Sequence, residues 1–213
     1  MATVVEQSVE TMADVLGRLG DVSADRVLTR PQPGTATEND LLRLPKDVRR
    51  MCELIDGTLV VKAMGAPESL LAFALGKFLF PYLAGNRLAV VLGADGHTRF
   101  FGDQIRMPDV AVILRSRLPG GRLPQQQVCP VPPDLAVEIL SPGNTAREID
   151  RKLHDFFASD VQLVWVVNLQ QRSVRVYTSV DEFTELTEDD TLDGGNVLPG
   201  FTLPIRDWFD EAE

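Results

Sequence analysis

Long apolar runs, cysteine and histidine are what this chain has least of, and each shortage closes off a class of protein. No apolar stretch approaches the roughly 20 residues that a bilayer-spanning helix needs. Met1 to Glu10 has neither the basic nor the apolar region of a secretory leader. The expectation is a soluble, cytoplasmic protein with no membrane partner. Two cysteines, Cys52 and Cys129, cannot make a disulfide framework, and two histidines, His97 and His154, cannot make a zinc-type cluster. Both histidines read as surface residues. Basic charge is also short: 21 Lys and Arg against 31 Asp and Glu leave a net charge of -10. Nucleic-acid-binding domains usually carry a basic face.

That last objection is local. Residues 181–213 hold eleven acids against Arg206 alone, so the remaining 180 residues are neutral, with twenty charges of each sign. Within them Arg99, Arg106, Arg115, Arg117 and Arg122 outnumber Asp103 and Asp109. Such a local excess can contact phosphates; ordinary solvated arginines are the plainer reading.

With 213 residues and 44% hydrophobic content, the chain can bury one sizeable core. Residues 1–36 read as an N-terminal extension: a short helix near Val9 to Leu19, then turn and linker chemistry at Arg30-Pro31-Gln32-Pro33-Gly34. This arm is expected to pack loosely. Residues 37–213 read as one domain ending in the acidic segment. Thr37 caps a short helix with Asp40 at its third position. Cys52 to Lys62 reads as a hairpin turning at Asp56-Gly57. Pro67 to Leu83 spaces Leu71, Leu75, Phe78, Leu79 and Tyr82 as one helical face. Leu88–Leu92, Thr98–Phe101, Asp109–Leu114 and Leu135–Leu140 read as strands that alternate poorly, as doubly covered strands do. Thr145 and Glu148 have capping-box spacing for a helix to about Ala158, and a second hairpin joins Gln162–Asn168 to Ser173–Thr178. No internal repeat is present. The pattern predicts an α/β fold.

Two strand runs carry carboxylates, Pro108-Asp109-Val110 and Val137-Glu138-Ile139, and an unpaired buried carboxylate is costly to desolvate. Strand alternation puts Asp134, Ala136, Glu138 and Leu140 on one face. If Asp109 opens a neighbouring strand, Asp109 and Glu138 come within reach of one hard cation, magnesium or manganese. In the following helix, Ile149, Leu153, Phe156 and Phe157 mark an apolar stripe with Lys152 on its edge. Lys152 is either a snorkelling side chain or a fixed positive charge for a phosphoryl transition state. Glu53 is either a further metal ligand or water-positioning group, or an edge glutamate paired with Arg49 or Arg50. Trp165 and Tyr177 read as packing residues.

These residues in this order resemble the PD-(D/E)XK nuclease superfamily and, within it, the Uma2 family of restriction-endonuclease-like proteins. The resemblance covers roughly residues 37–205. It rests on Glu53-Leu54-Ile55-Asp56-Gly57, Met107-Pro108-Asp109-Val110, Val137 to Pro142, Asn144 to Leu153 with Phe156, and Val164 to Asn168. It implies a restriction-endonuclease-like mixed sheet flanked by helices, with extra N-terminal helices and β-hairpins. It implies Mg2+ or Mn2+ dependence, hydrolysis of DNA phosphodiesters and a homodimer. Asp109, Glu138 and Glu53 would hold the metal, and Lys152 would complete the catalytic set.

The chain departs from the superfamily pattern at Leu140, where a lysine two residues after the acid is expected; Lys152 is the candidate replacement. A polar or histidine residue early in the long helix is present only as Glu68 or Ser69. The rival readings are an inactive nuclease fold that binds nucleic acid or protein, and a phosphoesterase acting on RNA or nucleotides.

Overall fold

The computed structural model describes residues 11–213. Six α-helices run in chain order: α1 Met12–Arg18, α2 Glu38–Arg43, α3 Lys46–Arg49, α4 Ala66–Asn86, α5 Ala146–Phe157 and α6 Ile205–Asp210. The strands are β1 Cys52–Ile55, β2 Thr58–Val61, β3 Ala89–Gly93, β4 Thr98–Arg99, β5 Ile105–Arg106, β6 Val110–Leu114, β7 Leu135–Ile139, β8 Leu163–Asn168, β9 Ser173–Tyr177, β10 Phe183–Leu186, β11 Thr191–Asp193 and β12 Thr202–Pro204. The central sheet has the order β10-β9-β8-β7-β6-β3, and a smaller one has the order β2-β1-β5-β4. Only β7 and β8 of the central sheet pair in parallel, joined through α5; its other neighbours are antiparallel. The mixed α/β fold read from the sequence is the one observed.

The alternation of β7 divides the molecule. Leu135, Val137 and Ile139 join Leu71, Leu75 and Leu79 of α4, together with Trp165 and Trp208, in the largest core. Ala136 on the opposite face packs with Val164 and Val166 of β8 and with Ile149, Leu153 and Phe156 of α5. Each fully buried leucine contributes about 2 kcal/mol of transfer free energy, so the faces hold α4 and α5 firmly on either side of the sheet. Pro81 is accommodated inside α4, and the helix continues to Asn86 rather than ending near Leu83.

Local signals explain the short elements. Asp56 and Gly57 both have positive φ, 46° and 65°, as the tight turn between β1 and β2 requires. Thr37 and Asp40 form the expected reciprocal cap of α2.

Two expectations are corrected. The N-terminal arm does not pack loosely: Val15, Leu19, Val22 and Val27 form a cluster with Ile55 and Val60. Arg26 then bonds the Val61 carbonyl and both oxygens of Glu148. Val9, where the first helix was expected to start, lies outside the described residues. The second correction follows from the first. Thr145 caps the Glu148 amide as predicted, but the Glu148 carboxylate turns to Arg26 and Asn144 and leaves the box half made. Gly20 permits this approach. Its φ is +90°, and a β-carbon there would lie 2.6 Å from Glu148 Cα.

Candidate active site

The pairing of β6 with β7 matches Val110 to Val137. Asp109 stands one residue before that pair, beside the end of β7, whose Glu138 shares with Ala136 the face covered by α5. Two hydrogen bonds fix the arrangement: the Asp109 amide donates to the Val137 carbonyl at 2.9 Å, and the Ile139 amide donates to Asp109 Oδ2 at 2.6 Å. One acid is thus tied to the backbone that carries the other. Lys152 projects from α5 onto the same face and donates to Glu138 Oε2 at 2.7 Å. Exposures of 2% for Asp109, 4% for Glu138 and 2% for Lys152 place all three in the interior. α5 packs across β7 and so brings Lys152 to Glu138.

The small sheet adds a second layer. Its β1–β5 register, Leu54 to Ile105, brings Glu53 opposite Arg106. Glu53 accepts from Arg106 Nη1 at 3.2 Å and from the Met107 amide at 2.9 Å. Arg106 also binds Asp155 of α5 through Nε at 2.7 Å and through Nη2. Glu53 is therefore not paired with Arg49 or Arg50. Arg106, counted among possible phosphate contacts, is 1% exposed and committed to two carboxylates.

One member of the site was missed altogether. Lys62, the residue after β2, places Nζ 2.7 Å from Asp109 Oδ1 and also donates to the Met107 carbonyl. A signal for it did exist. Val60 pairs with Glu53, and two residues along a strand return to the same face, so Lys62 shares a face with Glu53. His97 was also misplaced: it is buried, with Nε2 3.1 Å from the Cys52 carbonyl. His154 is exposed as expected, and Trp165 and Tyr177 are buried.

The protonation of the site follows from these neighbours. Burial raises the Glu53 carboxyl, but Lys152, Arg106, Lys62 and the Met107 amide outweigh it and hold the group at about 2. Burial pushes Glu138 up to about 7 against the pull of Lys152 and Lys62, with Asp109 and Glu53 adding to the rise. Burial works against the charge on Lys152, but Glu138, Glu53 and Glu148 more than offset it and raise it above the ordinary lysine value. Lys152 thus stays charged beside Glu138, whose carboxyl burial raises.

Two buried oxygens, Asp109 Oδ1 and Glu138 Oε1, have no hydrogen-bond donor; Lys62 meets the first as a charge pair only. Buried acceptors without donors are uncommon and call for an explanation. Carboxylate oxygens are the donors that magnesium and manganese take, so these two acids fit a divalent cation. Each oxygen of Glu53 accepts one hydrogen bond, from Arg106 and from the Met107 amide. Among the described residues, no group of three or more His, Cys, Asp or Glu side chains is arranged to hold a metal.

A cleft of about 500 Å³ opens at the end of β7, lined by Leu140, Ser141, Asn144, Ile149, Val166 and Tyr177 among others. Glu138 and Lys152 do not line it. Asp109 lines a smaller cleft of about 200 Å³ between α4 and β3. Asp109 thus reaches the smaller opening, while Glu138 and Lys152 lie beneath the surface.

The family model of Uma2, described as "Putative restriction endonuclease", matches residues 39–206. The chain belongs to the Uma2 family. A crystal structure described as a putative nuclease belonging to DUF820, from Anabaena variabilis, shares the fold with a TM-score of 0.72 and 21% sequence identity. The similarity covers 83% of this chain and 99% of that one. None of the curated proteins matches the chain. Uma2 membership and the fold support a nuclease. No helix among the described residues is long and apolar enough to cross a membrane.

Proposed function

We propose that the chain is a Mg2+- or Mn2+-dependent endonuclease of the PD-(D/E)XK kind that hydrolyses DNA phosphodiester bonds. The observation that carries this reading is the pair of buried carboxylate oxygens, Asp109 Oδ1 and Glu138 Oε1, each without a donor on adjoining strands. Asp109 and Glu138 would hold the ion. When bound, a divalent cation acidifies water and polarises a phosphate oxygen. Lys152, charged and fixed against Glu138, supplies positive charge where the phosphoryl group gains negative charge. Glu53 acts as a positioning residue: it holds Arg106 and the Met107 amide, and so the segment leading into Asp109.

The test is incubation of the purified protein with supercoiled plasmid and Mg2+ or Mn2+. Nicked or linear product is expected, and Asp109→Ala or Glu138→Ala abolishes it; variants that cut as well as the parent would remove the assignment. Cutting both strands needs two sites, and a homodimer supplies them; size-exclusion chromatography measures this directly.

A second reading, an inactive nuclease fold that binds nucleic acid or protein, draws on one feature. Each inner acid already has its own cation: Glu53 with Arg106, Asp109 with Lys62, and Glu138 with Lys152. Absence of any Mn2+ binding heat at millimolar concentration, unchanged by Asp109→Ala, would favour it.

A further inference from the structure

Each of the three inner acids already faces a cation, with Arg106 shared between Glu53 and Asp155, so a divalent cation would arrive in a site already supplied with positive charge. One of the three cations differs from the others in how it is held. Arg106 is fixed by Glu53 and Asp155, and Lys152 stands in the middle of α5, packed on the sheet. Lys62 follows the last residue of β2 and begins the short connection to α4, which has no regular structure and exposes Met64 and Gly65. Alone of the three, it is carried by an irregular segment rather than by a helix or a strand.

We infer that Lys62 is an internal competitor for the metal: its ammonium occupies the Asp109 side of the site and swings out to solvent when a divalent cation binds. The inference rests on the metal-site reading of Asp109 and Glu138. A Mg2+ or Mn2+ ion would stand about 2.1 Å from Asp109 Oδ1. The Lys62 ammonium is 2.7 Å from that same oxygen. The two cations would then be at most about 5 Å apart inside a buried site, where like charges repel far more strongly than in water. Its contact with Asp109 Oδ1 is a charge pair without hydrogen-bond geometry, so a divalent cation at that oxygen competes with it directly. The Met107 carbonyl is its one hydrogen-bond partner. The side chain is 6% exposed while it neutralises Asp109, so departure changes its accessibility as well as the charge. The Met107 carbonyl and Asp109 Oδ1 would both be released by the same movement.

Calorimetric titration of the full chain with MnCl2, comparing the parent, Lys62→Met and Glu138→Ala, tests the inference. Lys62→Met is expected to bind Mn2+ at least about tenfold more tightly, because the cation-cation repulsion is gone. In the parent, amine acylation read by mass spectrometry is expected to spare Lys62 without metal and to label it with Mn2+. The labelling needs no variant and stands alone if Lys62→Met fails to fold. Equal or weaker binding by folded Lys62→Met, or Lys62 labelling that Mn2+ does not change, overturns the proposal. If parent and Lys62→Met bind Mn2+ equally and Glu138→Ala loses it, only the competitor role falls. If neither parent nor Lys62→Met binds Mn2+, the metal site falls and takes this role with it.

Discussion

Lys152 reaches across from α5 to place its ammonium 2.7 Å from Glu138 Oε2, fourteen residues back along the chain on β7, and both side chains are buried. The contact joins β7 to α5 of the β7-α5-β8 unit beside the apolar packing of Ala136 with Ile149 and Leu153. Under the proposed nuclease reading, Lys152 would stand in for the lysine missing at Leu140. In that case the helix, not the strand, would deliver the charge.

If that charge serves the reaction, Lys152→Met should reduce plasmid nicking by about a hundredfold or more, the scale of losing a fixed electrostatic group at a reacting centre. Glu138 then loses its partner but can take up a proton, so the protein should remain folded by circular dichroism. Unchanged nicking would dismiss Lys152 from the site.

A lysine restored at the strand position gives a sharper test. Leu140 is half-buried and lines the larger cleft. Adding Leu140→Lys to Lys152→Met should recover part of the lost rate if either position can present positive charge to the same phosphate. No recovery in a folded double variant would mean that the helical position does something the strand position cannot.

Removing Arg26 should destabilise the protein by about 3 kcal/mol, because it strands a buried carboxylate. Arg26 is the bidentate partner of Glu148, whose side chain is 3% exposed. Urea denaturation of Arg26→Ala measures it; a change within about 0.5 kcal/mol, the scale of an ordinary surface substitution, would mean that the arm contributes little.

The same pair has a pH signature. Burial raises the Glu148 carboxyl, but the bonds from Arg26 and Asn144 and the charge of Lys152 outweigh it and leave it below the ordinary carboxylate value. Its folded pKa is thus depressed, so its stabilisation is complete above the unfolded pKa of about 4.3 and fades as pH falls through the folded value. The stability gap between the parent and Glu148→Gln should be largest near neutrality and shrink below pH of about 4. A gap that widens in acid would contradict the ion-pair account.

Gly20→Ala should cost about 2 kcal/mol or more, as strain at a positive φ and a backbone clash act together. The β-carbon would meet Glu148 Cα at 2.6 Å where φ is +90°. A thermal melt that matches the parent would show that the arm shifts to make room.

Much of this architecture was legible because it is written locally. The Asp56-Gly57 turn, the α2 cap and the two-sided burial of β7 depend on residues a few positions apart. Glu138 and Asp109 were found because charged residues interrupt apolar strands, and Lys152 because it edges an apolar stripe. Contacts made across long sequence separations were not legible. Lys62 meets a partner 47 positions away at Asp109, and Arg26 meets one 122 positions away at Glu148. Glu53 was singled out, but its role depends on Arg106, which arrives through a strand of two residues with no periodicity to detect. His97 was misread because nothing in its neighbours announces that it reaches the Cys52 carbonyl.

The bond from the Ile139 amide to Asp109 Oδ2 has a consequence for how long the site lasts. That amide is held by the very carboxylate proposed to bind metal, at the centre of a six-stranded sheet. Local openings that loosen loops and termini leave such a bond intact, and only events near the global unfolding free energy expose it. In native-state hydrogen exchange the Ile139 amide should therefore be among the slowest in the protein, so the two acids keep their relative placement for as long as the molecule stays folded.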